Sequence, residues 1–150
     1  MISINLADVT GDGVLDILAV TNTGKQYVYP GSGTGYFLAP YWTGDGWNTM
    51  TSINVADITG DGVVDILAVN TAGEQHVYPG TGTGYFKAPY RIGSGWQTMR
   101  AITLGDVNSD GKVDILAINS AGNQYVYPGV GGYFGAPYLT GVGWTGFQID

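Results

Sequence analysis

The sequence predicts an all-β protein made of three four-stranded β-propeller blades, and three observations carry this prediction. An acidic nine-residue segment starts at Asp8 and returns at Asp57 and Asp106, so the chain repeats every 49 residues. Each repeat holds short apolar or alternating runs separated by turn residues. With 26 Gly, 13% aromatic and only 11% charged residues, no stretch is rich enough in helix formers for a long helix. A repeat in the forties with four strands is typical of propeller blades.

The repeats divide a single domain of 150 residues into three units of similar length. We predict that the units cover approximately residues 1–49, 50–98 and 99–150. The strands expected in the first unit are residues 4–7, 16–20, 26–29 and 36–42. The second of these strands is short, continuous and apolar, as in a strand that is covered on both faces, and the third alternates. A Gly-rich hairpin at residues 30–35 connects the third strand to the fourth.

The acidic segments, residues 8–16, 57–65 and 106–114, are called the acidic loops below, and each has the pattern of a calcium loop. Aspartates occupy the first, fifth and ninth positions, and oxygen donors at alternate positions of a tight loop converge on one hard cation. The third position offers a side-chain oxygen, the seventh offers its carbonyl, and a glycine at the sixth permits the sharp turn. The candidate metal ligands are Asp8, Thr10, Asp12, Val14, Asp16, Asp57, Thr59, Asp61, Val63, Asp65, Asp106, Asn108, Asp110, Lys112 and Asp114.

Ligation by oxygen alone, without His or Cys, favours calcium over zinc, copper or magnesium, so we expect about three Ca²⁺ per chain. The alternative is an Asp-rich hairpin whose carboxylates only cap turns. Three carboxylates within one short loop repel one another without a counter-ion, which argues against that alternative. An EF-hand loop ends in a bidentate acid at its twelfth position, whereas this chain has Ala19, Ala68 and Ala117 there.

The acidic loop followed by an apolar strand, together with an aromatic-x-Ala-Pro segment such as residues 134–137, resembles the FG-GAP or VCBS repeat of integrin-alpha-like β-propellers. The resemblance covers nearly the whole chain. It implies a propeller with calcium bound between the first two strands of each blade, and an extracellular or secreted protein. The general plan is also similar to the fungal N-acetylglucosamine-binding propeller lectins. The likeness of the three copies leaves an engineered repeat protein as an alternative.

The formal net charge of −7 comes mainly from the acidic loops, which hold nine of the twelve acidic residues. Only five Lys and Arg are present, without a basic stripe, so nucleic acid is not an expected partner. No apolar run reaches the roughly 18 residues of a membrane-spanning helix, so membrane insertion is not expected. Met1 stands directly before the first strand, and we therefore expect no signal peptide in this chain.

Three blades are too few to close a propeller, because closed rings have about four to eight blades. The first and third blades alone would each expose an apolar sheet face, which favours self-association. We therefore predict a homodimer in which two chains form one six-bladed ring, with a higher ring or a fragment of a larger natural ring as the alternatives. Phe147 follows Trp144 at the spacing at which Met50 and Met99 follow the earlier tryptophans, and we expect it to fill the equivalent gap between blades.

The candidate ligand site lies at the end of each blade opposite the acidic loop, where a tryptophan follows the fourth strand. A flat indole beside amide groups suits a pyranose ring, whose C–H face stacks on the aromatic ring while its hydroxyls bond the amides. Repeated shallow sites would gain strength by multivalency. The alternative is that each Trp packs between blades and each Gln bonds backbone. The candidate residues are Trp47, Trp96, Trp144, Gln26, Gln75 and Gln124.

The sequence therefore favours a calcium-binding, carbohydrate-binding propeller, with N-acetylglucosamine-type sugars as the candidate ligand. Two alternatives stay open: an integrin-like module that binds protein, and a self-assembling scaffold without a ligand. An enzyme is not expected. Outside the acidic loops the acidic residues are Asp45, Glu74 and Asp150, and none has a second acid at local spacing for paired-carboxylate chemistry.

Overall fold

The computed structural model, which describes residues 3–146, confirms the all-β prediction of three blades. It contains three four-stranded antiparallel sheets, and within each sheet the strands follow one another in chain order. The first sheet consists of β1 (Ser3–Ala7), β2 (Asp16–Val20), β3 (Gln26–Tyr29) and β4 (Tyr41–Gly44). The second consists of β5 (Met50–Ala56), β6 (Asp65–Asn70), β7 (Gln75–Tyr78) and β8 (Tyr90–Gly93). The third consists of β9 (Met99–Gly105), β10 (Asp114–Asn119), β11 (Gln124–Tyr127) and β12 (Tyr138–Gly141).

Short 3₁₀ segments follow the three sheets, at Trp47–Thr49, Trp96–Thr98 and Trp144–Gly146. Phe147 and Asp150 lie outside the described residues, so the expectation that Phe147 fills a gap between blades stays a prediction. Within residues 3–146, no helix is long and apolar enough to cross a membrane.

The fourth strand is where the structure departs from the sequence prediction. The bounds predicted for β2 and β3 are confirmed, but β4 begins at Tyr41 rather than at residue 36. Pro40 stands just before the strand and lacks an N–H donor, so ladder pairing with β3 starts only after it. The residues before Pro40 return to the Gly-rich hairpin instead, where Gly31 and Phe37 form an isolated bridge.

The hydrophobic core lies between blades. At the first junction, Val9, Leu18 and Trp47 of the first blade pack with Ile66 and Ala68 of the second. The second junction repeats this arrangement one blade later, with the buried residues Ile58, Leu67, Val69, Val77, Trp96, Ile115 and Ala117. The middle blade is therefore covered on both faces, and each outer blade is covered on one face within this chain.

The second strands of the blades show this difference directly. In β6 of the middle blade every residue from Asp65 to Val69 is buried, as predicted for a strand covered on both faces. In β2 of the first blade, buried residues alternate with half-buried ones. The two strands have nearly the same sequence, so the difference comes from the neighbouring blade.

The two ends of a blade carry different elements. The acidic loop and the Gly-rich hairpin meet at one end, where the N–H of Gly31 donates to Asp16 Oδ1 (2.9 Å). At the other end, the N–H of Trp47 donates to the carbonyl oxygen of Gly24 in the turn between β2 and β3 (3.0 Å). The candidate metal ligands and the candidate sugar-binding residues thus lie at opposite ends of the blade.

Candidate metal centre and ligand site

The carboxylate at the first position organises each acidic loop. In the first loop, Asp8 accepts hydrogen bonds from the N–H groups of Gly11, Asp12 and Gly13 at 2.7, 3.1 and 2.8 Å. Asp57 accepts the corresponding three bonds in the second loop. Gly13 has φ of 85°, a conformation that glycine adopts without strain. The backbone therefore wraps around the first aspartate.

The aspartate at the ninth position has a structural role in addition to its candidate role as a ligand. Asp65 is fully buried, and its Oδ2 accepts from the N–H groups of Ile58 and Thr59 at 2.9 and 2.8 Å. Its Oδ1 accepts from the N–H of Gly80 at 2.9 Å, which ties the acidic loop to the Gly-rich hairpin. Asp16 and Asp114 are buried in the same way and make the same set of bonds.

The carboxylates converge most closely in the second acidic loop. One oxygen from each of Asp57, Asp61 and Asp65 lies within 4.8 Å of the others. Between residues 3 and 146 this is the one group of three acidic, His or Cys side chains that meets this spacing. The Oγ1 of Thr59, at the third position, is buried and has no hydrogen-bond partner, and the same holds for Thr10. Because these donors are all oxygen, the set fits a hard cation such as calcium.

The seventh-position residues were predicted as ligands through their carbonyl oxygens, and their N–H groups are already engaged. Val14, Val63 and Lys112 each donate to the carboxylate at the fifth position, Asp12, Asp61 and Asp110 respectively, at 2.9 Å. These bonds hold the fifth-position carboxylate over the loop. The ligand role of the three carbonyl groups stays a prediction.

The third acidic loop differs from the first two in its backbone. Ser109 has φ of 62° at the position that Gly11 and Gly60 occupy in the other loops. This left-handed conformation is strained for a serine. At the third position, Asn108 Oδ1 accepts from the N–H of Asp110 (3.0 Å), so this amide oxygen is already part of the turn. The third loop therefore makes its turn at a cost in backbone strain.

The candidate ligand residues lie together but largely inside the protein. In the second blade, a Cβ placed on Gly93 would lie 2.9 Å from Trp96 Nε1 and 3.5 Å from Gln75 Oε1, so these two side chains meet beside Gly93. Gln75 and Trp96 are buried, and their first-blade counterparts Gln26 and Trp47 are buried too. In the third blade, Gln124 and Trp144 are half-buried.

The tryptophans pack across the junctions, as in the alternative that the sequence left open. The Trp47 ring lies 4.7 Å from the ring of Tyr78 in the next blade, and Trp96 lies 4.8 Å from Tyr127. Burial raises the pKa of both the Tyr78 and the Tyr127 hydroxyl above its usual value. A sugar in contact with these indoles would have to reach an edge of the ring.

A cavity of about 210 Å³ reaches such an edge at the second junction. It lies between the outer parts of the second and third blades, and its lining includes Gln75, Trp96, Tyr127 and Phe134. Gln75 Nε2 is buried and has no hydrogen-bond partner, and the same is true of Gln26 Nε2 in the first blade. In the first blade, Gln26 Oε1 accepts from Thr43 Oγ1 (3.0 Å), so only the amide N–H groups are unused. Whether the six candidate residues bind a ligand stays a prediction.

The residues that join one blade to the next at the acidic-loop end were not predicted from the sequence. The carbonyl oxygen of Val9, inside the first acidic loop, accepts from the N–H of Gly84 in the hairpin of the second blade (2.8 Å). The hydroxyl of Tyr41 donates to the carbonyl oxygen of Thr83 in the same hairpin (3.0 Å). Burial, then the nearby Asp16 and Tyr85, raise the pKa of the Tyr41 hydroxyl above its usual value. The recurring Ala-Pro-Tyr triplet was the available signal for this tyrosine.

Comparisons with known proteins agree with this architecture. The model of the FG-GAP-like repeat matches residues 8–68 and 64–117. The Tc holotoxin pore of Photorhabdus luminescens contains a similar structure, with a TM-score of 0.65 and 18% sequence identity. That match covers 98% of this chain but 7% of the toxin chain, and at this identity it supports the fold alone. No curated protein sequence matches this chain.

Proposed function

This chain belongs to the FG-GAP-like repeat family, and from that premise we propose that it is a calcium-binding β-propeller module that binds a ligand rather than catalysing a reaction. The family often binds calcium and is typical of extracellular proteins. An extracellular location would also supply calcium at the millimolar level that weak loops of this kind need, since such modules have Kd of the order of 10⁻⁴–10⁻³ M.

The observation that carries the calcium proposal is the convergence of Asp57, Asp61 and Asp65 in the second acidic loop. Three carboxylates at this spacing repel one another, and a divalent cation would relieve the repulsion. The buried, unpartnered Thr59 Oγ1 supports the same site, because a buried hydroxyl without a partner costs free energy that a cation or its bound water would recover. When bound, calcium would hold β5 to β6 by neutralising the loop between them.

Calorimetric titration of the full chain with CaCl₂ tests this proposal. We expect about three sites per chain with Kd between 10⁻⁴ and 10⁻³ M. Asp61→Asn should remove one site, because it replaces the charged, exposed carboxylate at the fifth position by a neutral amide. Asp45→Asn, an exposed aspartate outside the acidic loops, is the matched control and should leave the stoichiometry unchanged. Heat changes that are absent at 10 mM CaCl₂, or that Asp61→Asn does not reduce, would contradict the proposal.

For the ligand, we propose a carbohydrate of the N-acetylglucosamine type at the cavity beside Trp96. The supporting observation is Gln75 Nε2, a buried donor without a partner in the lining of a cavity that also includes Tyr127 and Phe134. A sugar hydroxyl or acetamide oxygen would accept from this amide, while the apolar face of the pyranose packs on Tyr127 or Phe134. The volume of about 210 Å³ suits part of a monosaccharide, so the site would be shallow and weak.

Tryptophan fluorescence during titration with N-acetylglucosamine tests the carbohydrate proposal. We expect a saturable change that Gln75→Leu abolishes, since leucine keeps the volume but removes the donor. Gln97→Leu changes an exposed glutamine on the neighbouring 3₁₀ segment and should keep the response. A response that is absent, or equal in both variants, would remove the carbohydrate proposal while leaving the calcium proposal intact.

A protein-binding module is the second candidate function, and the rim at the acidic-loop end favours it. Large apolar side chains are exposed there, and Leu38 and Val130 belong to neither junction. Exposed apolar clusters with a polar surround are typical of protein-interaction surfaces. Binding to an immobilised protein that survives Gln75→Leu but is lost on Leu38→Lys would favour this candidate over the carbohydrate.

A further inference from the structure

The two junctions inside the chain are the same interface used twice. Across the first, the carbonyl oxygen of Val9 accepts from the N–H of Gly84 (2.8 Å), and across the second Ile58 accepts from Gly132 (2.9 Å). The tyrosine hydroxyls repeat as well: Tyr41 donates to Thr83 and Tyr90 donates to Gly132, at 3.0 and 2.8 Å. Each of these tyrosines also packs against the tyrosine that follows the glycine in the next hairpin, with ring centroids 5.7 and 5.4 Å apart. A blade thus has a leading face, which contacts the next blade, and a trailing face, which contacts the previous one.

The leading face of the third blade has the same residues as the covered leading faces but is open. Val107 is 48% exposed, whereas the equivalent Val9 and Ile58 are 3% and 4% exposed. Leu116 of β10 is half-buried, while Leu18 and Leu67 at its position are fully buried. Val107 and Leu116 are therefore present but partly uncovered at the third leading face, whereas Ile118 and Val126 are already buried within the third blade.

The trailing face of the first blade is open in the complementary way. Ile17 and Ala19 of β2 are half-buried, whereas Ile66 and Ala68, at the same positions of the middle blade, are fully buried. Tyr36 is 78% exposed, against 47% for Tyr85. The hairpin glycine that donates at each junction is buried in the second and third blades, but Gly35 in the first blade is exposed.

An apolar groove of about 420 Å³ marks this trailing face. Its lining includes Ile4, Ile17, Ala19, Tyr27 and Tyr29. The middle blade has equivalent residues at four of these positions, and there they pack in the first junction beside Trp47 of the preceding blade. Ile4, Ile17, Ala19 and Tyr29 correspond to Ile53, Ile66, Ala68 and Tyr78. The groove is therefore the surface on which a preceding blade would pack.

We propose that a second copy of this chain occupies both open faces and closes a six-bladed ring. The leading face of each third blade would pack on the trailing face of the other copy's first blade, giving two further junctions related by a twofold axis. Continuity with the two existing junctions supports a copy of this chain as the occupant, since only a blade of the same sequence offers every matching group. Propeller rings have about four to eight blades, and six is the one multiple of three in that range.

The proposal predicts specific contacts between the copies. The N–H of Gly35 would donate to the carbonyl oxygen of Val107, as Gly84 donates to Val9. The hydroxyl of Tyr138 would donate to the carbonyl oxygen of Thr34, as Tyr41 donates to Thr83. Neither calcium nor sugar takes part in these contacts. The formation of the ring is therefore tested separately from the binding of calcium or sugar.

Solution mass, measured by light scattering in CaCl₂ over a range of micromolar concentrations, tests the ring. We expect twice the 15.7 kDa of one chain. Ile4→Lys places a charge in the groove at a side chain that is 65% exposed within the chain, so the chain should still fold but be a monomer. Val142→Lys is the matched control, because this position is exposed in all three copies, and its mass should stay that of the dimer. Far-ultraviolet circular dichroism checks folding, and Tyr36→Lys replaces Ile4→Lys if that variant unfolds.

A mixing experiment tests the head-to-tail geometry. Ile4→Lys damages the trailing face and Tyr138→Lys damages the leading face, so each variant alone should be monomeric or nearly so. Mixed together, they retain one undamaged junction and should form a heterodimer. A monomeric parent chain, an open-ended polymer, a dimer that survives Ile4→Lys, or a mixture that stays monomeric would each overturn the proposal.

Discussion

The junction faces and the open faces of this protein carry nearly the same side chains, yet they differ in burial. Val9 is buried in the core of the first junction, while Val107, at the same position of the same loop, is half-exposed. The bonds inside each blade do not differ in this way, since Asp16, Asp65 and Asp114 are all fully buried. The comparison shows that a blade forms its own hydrogen-bond framework but obtains most of its hydrophobic core from a neighbour.

The largest expected effect comes from a side chain that fills a junction. Trp96→Ala should lower the free energy of unfolding by about 3–5 kcal/mol, because it leaves a large cavity between the second and third blades. Trp42→Ala removes the same side chain from an exposed site on β4 and should cost less than about 1 kcal/mol. Urea unfolding monitored by circular dichroism measures both. Equal losses would show that the junctions do not hold the core.

The framework inside a blade should be nearly as sensitive. Asp65→Ala removes the acceptor of three buried backbone N–H groups and should cost about 3 kcal/mol. Asp114→Ala should cost about the same, since its bonds lie within its own blade. Unfolding is measured in chelator, so that calcium does not contribute, and Asp45→Ala serves as the exposed control. If Asp114→Ala lowered the free energy of unfolding much less than Asp65→Ala, the hydrogen bonds inside a blade would depend on a neighbouring blade, which would contradict the comparison.

Equivalent valines test the comparison most directly. Val9→Ala should cost about 2 kcal/mol, from lost apolar burial and the cavity left behind. In the Ile4→Lys background, where we expect a monomer, Val107→Ala should cost below about 0.5 kcal/mol. In the parent chain, Val107→Ala should approach the cost of Val9→Ala if a second copy covers it. Thermal unfolding of Val9→Ala and Val107→Ala, each made in the parent chain and in the Ile4→Lys background, provides the comparison. Identical costs of the two substitutions in the Ile4→Lys background would contradict it.

The smallest expected effect concerns the strain in the third acidic loop. Ser109→Gly should raise the free energy of unfolding by up to about 1 kcal/mol, because glycine adopts the left-handed conformation without a steric penalty. Ser94→Gly is the control, since Ser94 has no positive φ and should gain no stability from glycine. The measurement is the melting temperature in calcium. A loss of stability on Ser109→Gly would show that the serine contributes a contact worth more than the strain.

Much of the fold follows from local sequence signals. The spacing of Asp8, Asp12 and Asp16 predicts the acidic loop, and the apolar run after Asp16 predicts β2 with the bounds that the structure has. The start of β4 was predicted wrongly, because the aromatic residues before Pro40 satisfy a strand pattern but pair with the hairpin instead. The proline was present in the sequence, yet its effect depends on where the neighbouring strand places its donors and acceptors.

The candidate sites were predicted unevenly for a similar reason. The candidate metal ligands of each loop lie within nine consecutive residues, so local spacing accounts for the close approach of Asp57, Asp61 and Asp65. Gln75 and Trp96 also meet as predicted, but their burial depends on the third blade, which the local pattern does not describe. The contact from Val9 to Gly84 joins residues far apart in the chain, and only the packed blades reveal it.

By itself, the sequence determined the three repeats, their strands and the acidic loops, because these depend on backbone preferences and side-chain chemistry within a few residues. The tertiary structure decided which faces are covered, where the tryptophans lie and which strand edges meet. Near-identical copies contain near-identical local information, so no local pattern distinguishes Val9 from its half-exposed counterpart Val107. That difference arises only from the presence or absence of a neighbouring blade, since burial of apolar surface is a property of the pair in contact.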